Sequence, residues 1–370
     1  MFIGHAHPEV TAAVQAQVPL GTTFFGNNRH GIALAEAIVD AVPCAEQVRF
    51  VCSGTEADLY AMRAARAFRK RDKILKFEGG YHGMSDYALV SLAPKNPGNF
   101  PRGTLDSAGI PKSVADEMVV AAFNDIDMVR SLIEEQKDEL AGVIVEPFQR
   151  LIPPKPGFLQ ALREVTAEHG IPLIFDEVVT GFRFAYGGAQ EYYGVKPDLC
   201  TLGKIVGGGF ALAAIAGRAD IMKHFDRLAM TDEDFIFQVG TLSGNPVAVA
   251  AGLATLALVE APGFQERIEA TTKSLVEGLV AEAKKAGVVF SAQSIGSMFG
   301  VYFRATPPTS FAEVLQCDKD RFNKFFHAML ERGIYLAPSA YEAGFVSAAH
   351  RAAEVGETLK AAAASFRLVM

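Results

Sequence analysis

Short, continuously apolar segments alternate with longer helical segments through most of this 370-residue chain. Residues 142–145 and 173–175 are two such apolar runs, and residues 157–169 between them show helical spacing that ends at Gly170. Strands buried on both faces of a parallel sheet have this composition, and helices connect them. The alternation therefore predicts an α/β fold with a mainly parallel sheet.

Polar residues follow five of the predicted strands. In parallel α/β sheets, ligands bind beyond the carboxyl ends of the strands. The sequence therefore predicts one shared site, to which these strand ends contribute Ser53, Tyr81, Glu146, Asp176 and Lys204.

Two segments have the composition of an anion-binding helix start. Ser53, Gly54 and Thr55 follow a strand and begin a helix, whose unpaired backbone amides and dipole favour a negative charge. Thr241 lies in a similar segment, 240–246, ahead of another helix. In both segments a simple N-cap is an equally good interpretation.

Asp176 and Lys204 are candidates for chemistry. Asp176 ends an apolar run, and a buried carboxylate needs a partner such as a protonated pyridine nitrogen, a helix N-terminus or a structural cation. The pattern does not decide whether Asp176 or Glu177 points inward. Lys204 lies among glycines and apolar residues, where a lysine can act as a nucleophile and form a Schiff base.

Tyr81 and His82 lie in the glycine-rich segment 79–83 after a predicted strand. Glycines allow the backbone to approach a ligand closely, and the ring of Tyr81 can stack on a flat heterocycle. A surface turn explains the same residues equally well.

Charge and cysteine usage exclude several classes of protein. The net charge is −7 with no basic stripe, which argues against nucleic-acid binding. No apolar run reaches the roughly 18 residues of a membrane span. The four cysteines form no C-x-x-C pair, so we expect neither a metal site nor disulfides. The chain is therefore expected to be cytoplasmic.

The predicted domain organisation has three parts. Residues 1–25 are interpreted as the remnant of an N-terminal segment, because the chain starts like the middle of a domain. Residues 26–258 form a large domain that carries the site, and residues 259–370 form a smaller C-terminal α/β domain.

Six segments, taken together and in order, resemble class III (fold type I) PLP-dependent aminotransferases, where PLP is pyridoxal 5'-phosphate. The subgroup with the most similar motifs is that of the glutamate-1-semialdehyde 2,1-aminomutases. The segments are 50–57, 77–83, 173–183, 197–204, 240–246 and 336–345.

The resemblance implies a large domain with a seven-stranded type of sheet, PLP as cofactor, and a homodimer with shared active sites. Lys204 would form the Schiff base with PLP, and Asp176 would bind the pyridine nitrogen. Val178 and Tyr81 would cover the two faces of the ring. The other residues implied to bind the cofactor are Ser53, Gly54, Thr55, His82, Glu146 and, from the neighbouring subunit, Thr241.

The implied activity is a ping-pong aminotransferase. It would move an amino group from an amino acid, β-amino acids included, or an amine to a 2-oxo acid. The aminomutases have a Gly-Asn stretch where this chain has 146–150, and a Gly- and Ser-rich loop where it has 91–97. These departures favour intermolecular transfer, with an aminomutase as the alternative.

Three residues are candidates for the substrate. Arg150 and Arg183 could bind a carboxylate through a bidentate guanidinium contact, and Glu342 could face the substrate. Packing or surface roles are equally open for all three. A PLP-binding protein without turnover is a third possibility, against which the pair of Lys204 and Asp176 argues.

Overall fold

The computed structural model describes residues 2–369. These residues form two compact units. The larger comprises 6–149 and 154–260, and the smaller comprises the described parts of 1–5, 150–153 and 261–370.

The larger unit is a seven-stranded sheet with helices. Its strands are β1 (Gln47–Val51), β2 (Lys73–Phe77), β3 (Met118–Ala121), β4 (Leu140–Val145), β5 (Leu173–Glu177), β6 (Leu199–Leu202) and β7 (Ala213–Gly217). Its α-helices are α1 (Pro8–Gln17), α2 (Arg29–Ala41), α3 (Gly54–Arg69), α4 (Ile126–Gln136), α5 (Phe158–Glu168), α6 (Gly188–Tyr193), α7 (Ala219–Met222) and α8 (Pro246–Val259). Short 3-10 helices span Val18–Leu20, Lys112–Glu117, Lys204–Gly207 and Lys223–Phe225.

The strand order of this sheet is β1-β7-β6-β5-β4-β2-β3. The five strands from β6 to β3 are parallel, and β7 is antiparallel to both β6 and β1. Strand β1 therefore runs in the same direction as β6. As a result, the chain segments that follow β1, β2, β4, β5 and β6 all emerge at one edge of the sheet.

The core of the larger unit is formed by the strands and by the small residues on one side of α3. Ala57, Ala61 and Ala65 are fully buried there, among the apolar residues of the sheet. Small side chains at helical spacing let α3 lie close to the sheet. This close packing fixes where the first turn of α3 lies relative to the strand ends.

The smaller unit has its own sheet and an aromatic core. Its elements are α9 (Phe264–Lys285), β8 (Ser291–Ile295), β9 (Met298–Tyr302), α10 (Phe311–Leu315), α11 (Lys319–Leu330), β10 (Gly344–Phe345) and α12 (Ala352–Phe366). The strand order is β10-β9-β8, antiparallel throughout. Phe290, Phe303, Phe325 and Phe366 pack together, with the rings of Phe325 and Phe366 stacked 4.5 Å apart.

The α/β fold with a mostly parallel seven-stranded sheet is confirmed. The β-branched and aromatic composition of residues 288–290 predicts a strand there, and this prediction is wrong, since the strand begins at Ser291. β3 and α4 were not predicted at all. The three-part domain division remains a prediction. In the structure, α1 belongs to the larger unit, and residues 150–153 belong to the smaller one.

No single helix within residues 2–369 is both long and apolar enough to cross a membrane. Helices α8 and α9 reach the length and apolar composition of a membrane span only when they are taken together as a bent pair. Most side chains of α8 are buried in the larger unit, as expected of a core helix.

Candidate active site

A cavity of about 250 Å³ lies at the carboxyl edge of the seven-stranded sheet. The segments that follow β1, β2, β4, β5 and β6 all contribute to its wall. The predicted residues that line it are Ser53, Gly54, Thr55, Tyr81, Glu146, Asp176, Val178 and Lys204.

Lys204 follows β6 and begins a 3-10 helix with a left-handed backbone, φ 46°. This conformation costs a non-glycine residue on the order of 1 kcal/mol and is kept only where the surroundings enforce it. The side chain is exposed and lines the cavity. A Cβ on the preceding Gly203 would lie 3.1 Å from Val178 Cγ1, so the glycine lets this segment approach Val178 closely.

Asp176 points into the cavity from β5 and is held by its neighbours. Its Oδ2 lies 2.8 Å from His82 Nδ1. Its Oδ1 accepts hydrogen bonds from the backbone N–H of Val178 at 3.1 Å and from the hydroxyl of Thr201 at 3.4 Å. These contacts fix the carboxylate in one orientation, as a partner for a cation in the cavity requires.

Glu177 has a different role from its neighbour. Its Oε2 accepts hydrogen bonds from the Thr180 hydroxyl at 2.9 Å and from the Ala189 N–H at 2.5 Å. Burial raises the pKa of Glu177 from 4.5 to about 7, and these hydrogen bonds oppose the rise. Glu177 thus ties the start of α6 to β5, and the structure assigns the cavity to Asp176.

The first turn of α3 forms a capping box at the cavity wall. Ser53 Oγ accepts from the N–H of Glu56 at 3.2 Å, and Glu56 Oε2 accepts from the N–H of Ser53 at 3.1 Å. The N-cap interpretation is therefore correct for Ser53. It does not exclude anion binding, because the same residues line the cavity and the hydroxyl hydrogen of Ser53 stays available.

The loop after β2 is interlocked with α3 and with β4. The N–H of Tyr81 donates to Glu146 Oε2 at 2.8 Å. The N–H of Met84 donates to Thr55 Oγ1 at 3.1 Å. A Cβ on Gly83, whose φ is +82°, would lie 2.6 Å from Thr55 Cα. Tyr81 is therefore presented to the cavity on a loop that is fixed at both ends.

Five predicted residues do not line the cavity as the structure describes it. His82 is buried and contacts Asp176. Thr241 is exposed on the loop before α8. Arg183 is buried, donates from Nε to the Val179 carbonyl at 2.8 Å, and has a pKa lowered by burial to about 10. In the smaller unit, Arg150 and Glu342 form an ion pair of 3.9 Å.

Two residues of the site were missed by sequence reasoning. Thr201 lies opposite Asp176 in the register of β5 and β6, and Asp58 lines the cavity from α3. The signal for Asp58 was available, because it is a charged residue on the alanine-rich side of α3. Among the described residues, no group of three or more His, Cys, Asp or Glu side chains could hold a metal ion.

Comparison with known proteins assigns the chain to a family. Residues 1–347 match the aminotransferase class-III family. The chain belongs to this family. One relative is a protein named glutamate-1-semialdehyde 2,1-aminomutase, from Nitrosospira multiformis. It is 51% identical over 365 residues, which cover 98% of this chain and 84% of the relative.

Solved structures of transaminases superpose on the chain. An ω-transaminase from Sphaerobacter thermophilus superposes with a TM-score of 0.91 at 37% identity, over 99% of this chain and 84% of that one. A transaminase solved with PLP bound superposes with a TM-score of 0.88 at 31% identity, over 100% of this chain and 84% of that one. The predicted cofactor, PLP, is confirmed.

The donor groups of the cavity suit the chemistry of PLP. The N-terminus of α3 would hold the phosphate, Asp176 would hold the protonated pyridine nitrogen, and Lys204 would hold the aldehyde carbon. When bound, PLP supplies an electron-withdrawing ring that stabilises negative charge on the carbon beside the substrate nitrogen. The individual residue assignments remain predictions.

Proposed function

We propose that this class III enzyme is an aminomutase that exchanges the amino and oxo groups on adjacent carbons of glutamate 1-semialdehyde. The observation that carries the proposal is the 51% identity to an enzyme of that name along 98% of the chain. This comparison favours the alternative of the sequence analysis over intermolecular transfer.

Asp176 and Lys204 would perform the proton and charge chemistry. Asp176, held by His82 and the Val178 N–H, would keep the ring nitrogen protonated. Lys204, on its strained backbone, would move a proton between the substrate carbon and the cofactor as general base and then acid.

The test is turnover of glutamate 1-semialdehyde by the purified PLP-loaded enzyme with no added amine or 2-oxo acid. Sustained formation of 5-amino-4-oxopentanoate is expected from the wild type, and none from Lys204→Ala. Formation of at most one equivalent per site would contradict the aminomutase proposal while leaving PLP binding intact.

A second candidate is an intermolecular aminotransferase, favoured by the segment 146–150. Gln149 is buried there and donates from Nε2 to the Glu78 carbonyl at 2.6 Å, in the segment where the aminomutases carry a Gly-Asn stretch. The ω-transaminase likeness agrees with this candidate. An amine donor alone would then convert the cofactor once per site, and a 2-oxo acid would be needed to continue.

We further propose that the enzyme is a homodimer with shared active sites, in which Thr241 of one subunit binds the phosphate in the other. Arg150, Arg183 and Glu342 remain our candidates for substrate contacts. The exposed position of Thr241 on the loop before α8 supports a contact made between subunits.

A further inference from the structure

Asp58 is a buried carboxyl group to which the chemistry above gives no role. It lies on α3, is only 2% exposed, and lines the cavity. The oxygen of the Thr201 hydroxyl lies 2.7 Å from its Oδ1 and 3.4 Å from Oδ1 of Asp176, so one hydroxyl group bridges the two carboxyl groups. A buried carboxyl group is retained at such a cost only where its bonds are satisfied.

The surroundings of Asp58 are mostly acidic. Asp176 and Glu146 line the same cavity, where Lys204 is the cationic group, and His82 contacts the far oxygen of Asp176. Burial first, and then the charge of Asp176, raise the pKa of Asp58 well above its ordinary value. Two neighbouring buried carboxyl groups are not both ionised, because each charge opposes the other.

The hydrogen atoms available for these bonds can be counted. The Thr201 hydroxyl has one hydrogen, while its oxygen lies within hydrogen-bond distance of both Asp58 (2.7 Å) and Asp176 (3.4 Å). It can donate to only one of the two carboxyl groups, and an ionised carboxylate only accepts. The other contact is a hydrogen bond only if that carboxyl group carries a proton and donates it to Thr201 Oγ1.

We propose that Asp58, which makes the shorter contact, carries this proton and donates it to Thr201 Oγ1, that the Thr201 hydroxyl in turn donates to Asp176, and that Asp58 thereby acts as a positioning residue for Asp176. Asp176 then remains the anion that faces the ring nitrogen of the cofactor. Its two oxygens are held by Thr201, His82 and the Val178 N–H, which leaves it little freedom to rotate. The proposal depends on PLP binding and is independent of whether the enzyme is an aminomutase or a transaminase.

The test uses Asp58→Asn and Asp58→Leu, which separate the hydrogen bonds from the charge. Asparagine accepts and donates as the protonated acid does, whereas leucine does neither. The PLP dissociation constant and the pH midpoint of the visible absorbance would be measured for each. We expect Asp58→Asn to bind PLP within about threefold of wild type with an unchanged midpoint. We expect Asp58→Leu to bind at least about tenfold more weakly, since roughly 1.4 kcal/mol corresponds to tenfold.

Two controls and one substitute variant accompany these measurements. Asp116→Asn, at an exposed position, should leave both readouts unchanged. Near-UV circular dichroism would establish that each variant is folded. If Asp58→Leu does not fold, Thr201→Val takes its place and should weaken PLP binding several-fold.

Two results would overturn the proposal. A shifted absorbance midpoint in Asp58→Asn would mean that the wild-type residue is charged. Unchanged PLP binding in the folded Leu or Val variant would mean that Asp58 does not position Asp176.

Discussion

Two glycines confine Val178, the residue implied to cover one face of the cofactor ring. A Cβ on Gly54 would lie 2.9 Å from Val178 Cγ1, and a Cβ on Gly203 would lie 3.1 Å from the same atom. The first turn of α3 and the segment before Lys204 therefore both depend on the position of one valine. Added volume at either glycine must displace it.

Gly54→Ala is expected to destabilise the protein by about 1–3 kcal/mol, because the new methyl group overpacks against Val178. PLP binding should weaken as well. Gly356→Ala is the matched control, since Gly356 lies within α12 with no atom near the added methyl group. That change should stabilise by roughly 0.5–1 kcal/mol through helix propensity. Urea unfolding checks both, and equal effects would contradict the steric argument.

Glu177 should make stability depend on pH. Because its pKa in the folded state is raised from 4.5 to about 7, the protein is most stable while Glu177 is protonated. That stability is lost as the pH rises through about 7. Glu177→Gln removes this loss. Its free energy of unfolding relative to wild type should therefore increase by about 2 kcal/mol between pH 5 and pH 8.

Urea unfolding at several pH values measures the effect, with the exposed Glu135→Gln as control. Parallel pH profiles for Glu177→Gln and wild type would show that the buried carboxyl group does not titrate in this range.

At the scale of the element, the first turn of α3 combines a structural cap with a predicted ligand contact. Ser53→Ala should cost about 1 kcal/mol of stability through the lost cap, and should also weaken PLP binding. Ser310 provides a matched cap, because its Oγ accepts from the Glu313 N–H at 3.3 Å at the start of α10.

Ser310→Ala is therefore expected to show a similar loss of stability with unchanged PLP affinity. Urea unfolding and PLP titration of the two variants separate the two functions of Ser53. If both variants bind PLP as tightly as wild type, Ser53 is a cap and nothing more.

The helices and strands that could be predicted from sequence are those whose secondary structure follows from the residue pattern of the segment itself. β5 is an apolar run between turn residues, and α8 begins with Pro246 after the capping residue Asn245. In contrast, β3 has only four residues and lies at the sheet edge after a long irregular stretch. Val288 to Phe290 has the composition of a strand, but Phe290 packs against Phe303 and Phe366 instead of joining the sheet.

The candidate site could be predicted in part, for a related reason. Polar residues after apolar runs identify strand ends, and Ser53 and Lys204 were found in this way. Asp58 could not be found by that rule, because it lies inside α3 and reaches the cavity only through tertiary packing. The roles of Asp176 and Glu177 could be separated only once the position of α6 was known.

At the scale of the whole molecule, apolar side chains on the loops of the larger unit are exposed to an unusual degree. Phe25 is fully exposed, and Phe237, Val239 and Leu242 are largely so. Large exposed apolar groups in one chain are typical of a surface that another chain covers. They agree with the proposed homodimer.

Subunit mixing tests the shared site. Lys204→Ala and Thr241→Val would be refolded together and assayed at limiting PLP. If Thr241 acts across the interface, a hybrid dimer regains one intact site, and the mixture should reach about a quarter of wild-type activity. If Thr241 acts within its own subunit, the mixture should stay at the mean of the two variants. Light scattering establishes whether the protein is dimeric.

The contacts between the Tyr81 loop and α3 limit which sequence changes this enzyme can accept during evolution. Gly83 leaves no room for a side chain beside Thr55, and the N–H of Met84 is bonded to the same threonine. Lengthening the loop to admit a bulkier substrate would push on α3, whose first turn is predicted to bind the phosphate. New specificity is therefore easier to acquire at the other walls of the cavity, while these two segments are inherited together.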